Sequence, residues 1–228
     1  MDAKQDKIED IRAALAPHGI FLRGIVHFDG DGPELATGGR AGTVLLLGNV
    51  GGSIWPAFST WRAGPGQGVK NPLDTWSEHL IRPLAERLGG QAYFPSEKPW
   101  QPFQQWAMRA EGLKASPLGV LIHPEYGLWH GYRGAIGFAE RIGTETASFA
   151  HHPCDHCRDK PCLTSCPTDA VEFSSFDVPA CRSHIHSPAG KAGCMVIGCV
   201  ARNACPVGVA YRYPQEQLQF HMAALGRM

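Results

Sequence analysis

The first 153 residues of this 228-residue chain contain no cysteine; all eight lie between Cys154 and Cys205. A long apolar run is missing too. The longest, Thr43-Val-Leu-Leu-Leu47, falls far short of the roughly 20 residues a membrane span requires and reads as a buried strand. No excess of one charge sign exists, since 21 Lys and Arg balance 21 Asp and Glu, so composition gives no basic field for nucleic acid or an acidic membrane surface. The opening Met1-Asp-Ala-Lys-Gln-Asp-Lys7 is charged and has no apolar stretch of the kind a secretory signal needs. A cytoplasmic, reducing setting is therefore expected, where clustered cysteines hold metal more often than they form disulfides. Internal repeats and low-complexity segments are also lacking.

What is present is lopsided. With 43% hydrophobic and 18% charged residues, the chain can build one sizeable core with a small module attached. The cysteine boundary places the division near Thr144–Pro153, between a domain of residues 1–147 and a module of residues 148–228 that ends in a helix. Apolar spacing predicts helices over Lys4–Ala16, Leu73–Leu88 and Gln101–Glu111. Pro83 should kink or split the second of these. Strands are expected over Ile20–Phe28, Gly42–Gly48, Gln91–Phe94, Leu118–His123 and Gly127–Phe138, the last two joined by a turn at Pro124-Glu-Tyr126. Asn49-Val-Gly-Gly-Ser-Ile-Trp-Pro56 is a glycine-rich loop after a strand, readable as a plain turn or as a cradle for phosphate. Strands alternating with helices point to an α+β or α/β layered domain.

The cysteines carry the chemistry. The first four read Cys154-x2-Cys157-x4-Cys162-x3-Cys166-Pro167. Bacterial ferredoxins use Cys-x2-Cys-x2-Cys-x3-Cys-Pro, with the fourth cysteine serving the other cluster. Here the second gap is longer by two, filled by Arg158-Asp-Lys-Pro161. The second set reads Cys181, then Cys194-x4-Cys199-x5-Cys205-Pro206, and repeats the closing Cys-Pro. Crossed ligation would put Cys154, Cys157, Cys162 and Cys205 on one [4Fe-4S] cluster. Cys166, Cys181, Cys194 and Cys199 would hold the other. Two four-cysteine zinc sites use the same count, but zinc ribbons favour separated Cys-x2-Cys pairs without Cys-Pro turns. His151, His152, His156, His184 and His186 crowd the module, either as tuning groups near sulfur or as surface residues.

The cysteine module, with Cys-Pro-Thr after the first set and a lone Cys181 ahead of the second, resembles the C-terminal half of epoxyqueuosine reductases. Ile11-Arg-Ala-Ala-Leu-Ala-Pro-His-Gly-Ile-Phe-Leu-Arg-Gly-Ile25 echoes their opening. A second segment, Gly119-Val-Leu-Ile-His-Pro-Glu-Tyr-Gly-Leu-Trp-His-Gly-Tyr-Arg-Gly134, looks like the Gly-Val-x-Ile-His-Pro stretch of cobalamin-processing proteins of the cobalamin-C type. Both resemblances imply a nitroreductase-like α+β domain that holds a corrinoid, here joined to a bacterial-ferredoxin-like two-cluster module. Gly131-Tyr-Arg-Gly134 stands where the reductases carry Gly-Trp-x-Gly-Lys, and their acidic catalytic segment has no counterpart.

The resemblance implies corrinoid contacts for His123, Trp129, Tyr132 and Arg133. His123 would approach cobalt or a corrin side chain, or else cap a strand end. Trp129 and Tyr132 would line the pocket or pack a hairpin face, and Arg133 would pair with a corrin amide or, for a flavin, with phosphate. The function so implied is electron delivery from two [4Fe-4S] clusters to cobalamin, for its reduction or upper-ligand removal, with ferredoxin or flavodoxin as donor. A ferredoxin-like carrier without corrinoid is the alternative, and tRNA modification a third.

Overall fold

In the computed structural model, which describes residues 3–145 and 152–227, Ile8, Ile11 and Leu15 lie buried along one stripe of helix α1 (Ala3–Leu15). That stripe is the 3.6-residue period expected of a helix laid on a sheet. A short 3-10 turn, Ala16–His18, follows, and Gly19 turns the chain into the first strand at φ 69°. A Cβ at Gly19 would stand 2.0 Å from the Ser53 carbonyl oxygen, so only glycine fits there.

The chain divides into two units, the first comprising residues 1–112 and 131–148 and the second residues 113–130 and 149–228. The first unit is built on a four-stranded sheet in the order β1-β2-β6-β3. Its members are β1 (Phe21–His27), β2 (Thr43–Val50), β3 (Gln91–Tyr93) and β6 (His130–Phe138). Strand β2 is buried along nearly its whole length, as its Val-Leu-Leu-Leu run requires. It pairs antiparallel with β1 from Phe21↔Gly48 to His27↔Thr43, and the register slips between Leu22 and Gly24. Arg23 is the residue at that slip, a bulge of the kind that redirects a side chain.

Helices α2 (Trp55–Ala63), α3 (Pro72–Arg87) and α4 (Phe103–Glu111) complete this unit. Helices α1 and α4 pack on β1, and α3 on β3. Pro83 and the strands flanking Pro124 depart from expectation here. Pro83 neither splits nor ends α3, which runs unbroken to Arg87; burial of Trp76, Ile81, Leu84 and Ala85 along one face outweighs the hydrogen bond lost at the proline. The glycine-rich loop is only a brief turn, because Trp55 already opens α2, which spacing did not predict. The pairing foreseen between two strands flanking Pro124 is reduced to a single antiparallel bridge.

Instead, β5 (Leu121–Ile122) pairs with β4 (Lys114–Ala115), and His123 bridges Gly127 around the turn. This short hairpin belongs to the second unit, with the cysteines. The division expected at 144–153 falls largely outside the described residues, as does His151. The rest of the second unit is a chain of short helices: α5 (Pro153–His156), α6 (Pro161–Thr164), α7 (Val178–His186), α8 (Pro188–Ala192), α9 (Cys194–Ile197), α10 (Val200–Asn203) and α11 (Gln215–Arg227). Asp177 and Ser187 cap α7 and α8 by accepting from the N–H groups of Ala180 and Gly190. The apolar clusters here are small, Trp129 with Tyr213 and Leu218, and Ile185 with Cys194 and Met222. Among the described residues no helix is long and apolar enough to cross a membrane.

Candidate functional site

The short helices place the eight thiols. Cys154 lies in α5 and Cys157 ends it, Cys162 lies in α6, and Cys205 follows α10. Together these four line one small pocket closed by Pro117, Ile122 and Val207. Burial pushes the Cys154 thiol up to about 11, and the neighbouring Cys205, Cys162 and Cys157 add to the rise. In the second set, Cys181 and Cys199 shift the same way. Cys181, in α7, is pushed up to about 11 by burial and then by Cys199, Cys166 and Cys194. Cys162, Cys199 and Cys205 are also raised, burial being the first cause for each.

The thiols thus stand in two sets of four, and each set takes the closing Cys-Pro cysteine of the other run. All eight are free of disulfides. Among the described residues, no three His, Cys, Asp or Glu side chains are gathered where one metal ion could bind them. The surroundings of the sets differ. Cys181, Cys194 and Cys199 pack among Ile185, Met195, Val200, Met222 and Leu225. Cys154 also borders a cavity of about 380 Å³ with Lys114, His152, Lys160 and Phe173. His152 is buried and its Nδ1 lies 3.5 Å from Asp155 Oδ1, whereas His156, His184 and His186 sit at the last turns of α5 and α7.

Of the four residues expected at a corrinoid, His123 and Trp129 belong to the second unit and Tyr132 and Arg133 to the first. His123 is 3% exposed, and its Nδ1 accepts from the backbone N–H groups of Glu125 (3.0 Å) and Tyr126 (3.1 Å). Its ring stacks on Tyr126 with centroids 4.0 Å apart. That nitrogen is therefore committed to holding the His-Pro turn. The turn rests on the loop after Cys205, since a Cβ on Gly127 would meet the Val207 carbonyl oxygen at 2.0 Å. Trp129 has no exposed surface. Its ring packs edge-on against Tyr213 and under the Arg202 guanidinium, 4.5 Å from the centroid, while Arg202 also donates to the Leu128 carbonyl.

Tyr132 and Arg133 belong to the first unit, at the start of β6, where a polar centre escaped the sequence reading. The Arg23 guanidinium donates to Glu111 Oε2 (2.8 Å) and to the Asn49 carbonyl (3.0 Å). The Tyr132 hydroxyl donates to Glu111 Oε1 at 2.5 Å. The Arg23 and Glu111 side chains are only 3% and 5% exposed. Burial, then the Glu111 charge, holds the Tyr132 hydroxyl protonated far above the ordinary tyrosine range. Arg133 approaches the same spot, its guanidinium and the Asn49 side chain flanking Gly131. The one sequence signal was a charge at a position otherwise buried, in Phe21-Leu-Arg-Gly-Ile-Val-His27.

No family model and no curated protein matches the sequence. Solved structures do match the fold. The B12-trafficking protein CblC of C. elegans, a homologue of human MMACHC, is similar over 99% of this chain and 96% of its own, with a TM-score of 0.56 at 13% identity. An epoxyqueuosine reductase solved with an epoxyqueuosine-modified tRNA-Tyr stem loop is similar over 94% of this chain and 68% of its own, with a TM-score of 0.51 at 13% identity. The α+β fold of this chain is therefore shared with both kinds of protein, over most of its length.

Proposed function

We propose that this protein holds two [4Fe-4S] clusters and delivers their electrons to a corrinoid. The observation that carries the cluster half is the grouping of eight reduced thiols into two sets of four. Within each set the neighbouring thiols raise the ionisation range of one member, Cys154 or Cys181, yet among the described residues no three converge on a point that a single ion could fill. A lone zinc would draw four sulfurs to about 2.3 Å of one centre, whereas a cubane is larger and spreads its ligands. Cys154, Cys157, Cys162 and Cys205 would hold one cluster, and Cys166, Cys181, Cys194 and Cys199 the other. Thiolate-bound cubanes supply single-electron exchange, with a potential tuned by burial and hydrogen bonds.

The corrinoid half is supported by likeness of fold to a B12-trafficking protein. His123 and Trp129 serve the framework in this reading, through the turn and the Arg202 stack. Tyr132 and Arg133, half-buried in β6, are the expected residues that keep surface for a ligand. A ferredoxin or flavodoxin would supply the electrons. A carrier that hands electrons to a protein without any corrinoid is the second reading, favoured by the commitment of His123. Epoxyqueuosine chemistry is less well supported, since the charge balance is neutral.

Anaerobic titration of the cluster-loaded chain with hydroxocobalamin, before and after dithionite, tests the proposal. Tight binding with a shift of the corrin bands on reduction is expected. Redox-active clusters with no binding would leave the carrier reading, and a chain loading zinc but not iron would remove both.

A further inference from the structure

The longer gap between Cys157 and Cys162, two residues beyond the ferredoxin spacing, has no role in the function proposed so far. Its residues are Arg158, Asp159, Lys160 and Pro161. Lys160 takes a left-handed conformation, φ 39°, that a residue with a side chain rarely adopts. The proline that follows disfavours the right-handed helical alternative and opens α6, which carries Cys162.

The consequence is a fixed ammonium. Lys160 Nζ donates to the Cys154 carbonyl oxygen at 2.8 Å and lies 5.4 Å from the centroid of the Phe173 ring. Lys160 lines the small pocket shared by Cys154, Cys157, Cys162 and Cys205. The same lysine borders the cavity of about 380 Å³ beside Cys154. A ferredoxin-length spacer would have no residue to put there.

We propose that Lys160 is the potential-setting residue of the cluster held by Cys154, Cys157, Cys162 and Cys205, its charge favouring the reduced state of that cluster alone. This rests on the two-cluster reading. Reduction takes up one electron from an external one-electron donor, with no bond made or broken and no proton required, and adds one negative charge at the four sulfurs and their iron. A cation held beside them stabilises the added charge more than the charge already there, which raises the potential. Lys160 lines the pocket of the Cys154 set, whereas Cys181, Cys194 and Cys199 pack among the apolar Ile185, Met195, Val200, Met222 and Leu225.

The test uses full-length chain with both clusters loaded. Midpoint potentials are read by anaerobic dithionite titration followed by electron paramagnetic resonance, for wild type, Lys160→Met and Lys160→Arg. Lys160→Met is expected to lower one midpoint and leave the other unchanged at equal iron content, and Lys160→Arg to restore it. In a Cys181→Ser background, the shifted signal should be the one that remains. Two unmoved midpoints with full iron would overturn the role of Lys160 and leave the two-cluster reading standing. Loss of a cluster from Lys160→Met would assign the lysine to assembly and overturn it as well. A wild-type chain without iron would sink both readings.

Discussion

Breaking the Arg23–Glu111 pair is the sharpest stability test of the first unit. The two side chains meet at 2.8 Å and are 3% and 5% exposed, so neither charge has water to fall back on. Glu111→Gln preserves shape and leaves an oxygen for the Tyr132 hydroxyl, but it removes the charge that the Arg23 guanidinium meets at 2.8 Å. Removing one partner of a buried pair costs about 3–5 kcal/mol. At roughly 2–4 °C per kcal/mol for a chain of this size, the melting temperature should fall by about 6–20 °C. Arg23→Met should cost a similar amount, since it removes the cation beside the Glu111 carboxylate. The double variant removes both charges of the pair, and replacing a buried pair by neutral groups is often close to neutral. It should therefore recover about 2–3 kcal/mol relative to the sum of the single changes. The assay is a double-mutant cycle by thermal and denaturant unfolding. A Glu111→Gln protein melting within about 2 °C of wild type, or strictly additive losses, would mean that the charges are hydrated and the buried network does not exist.

Cys205 tests the crossing of the two sets. Cys154→Ser with Cys205→Ser should cost one cluster, about half the iron and sulfide per chain, whereas Cys181→Ser with Cys205→Ser should cost both; the reverse pattern would return Cys205 to the second set. Tyr93 is pushed up to about 12 by burial and donates to the Glu34 carbonyl at 2.7 Å. Its folded value lies above the unfolded one, so its contribution is complete below about pH 10 and is lost as pH rises toward 12. Tyr93→Phe should flatten that alkaline slope and cost about 1 kcal/mol at neutral pH, read by denaturation at several pH values. Gly127→Ala places a Cβ 2.0 Å from the Val207 carbonyl oxygen at φ 58°. It should cost at least about 1–3 kcal/mol and impair iron loading at the Cys205 set more than at its neighbour. Equal loading of both sets would detach the His-Pro turn from the Cys205 loop.

The legible parts of the molecule were those whose signal is local. Ile8, Ile11 and Leu15 mark α1 by spacing alone, and the run from Thr43 to Leu47 marks the central strand. The thiols were legible because cysteine is rare elsewhere and Cys-Pro turns have a known geometry. Non-local features were not. Arg23 and Glu111 are 88 residues apart, and each looks like an ordinary surface charge until a bulge and a helix end bring them together. Helix α2 was hidden behind its glycines, although Trp55 and Phe58 already sit one turn apart. Leu121 and Ile122 read as the first strand of a hairpin with β6, because alternation reports that a strand exists and not which strand it pairs with. His123 stood out as a ligand on the strength of its neighbours in sequence, but the bonds that its Nδ1 accepts within the turn were not legible there.

The hairpin of residues 113–130 makes the peptide pass between the two units three times. During synthesis this hairpin leaves the ribosome well before Cys205 and the loop its turn rests on. At about 5–20 residues per second it waits on the order of ten seconds, with Leu121, Ile122 and Trp129 lacking the partners that bury them in the finished protein. Assembly of the Cys154 set is then a late event, open only once Cys205 has been made. A gene cut just ahead of Cys154 would yield two fragments, each missing part of a unit, so the cysteine-rich module cannot be transplanted as a simple C-terminal cassette.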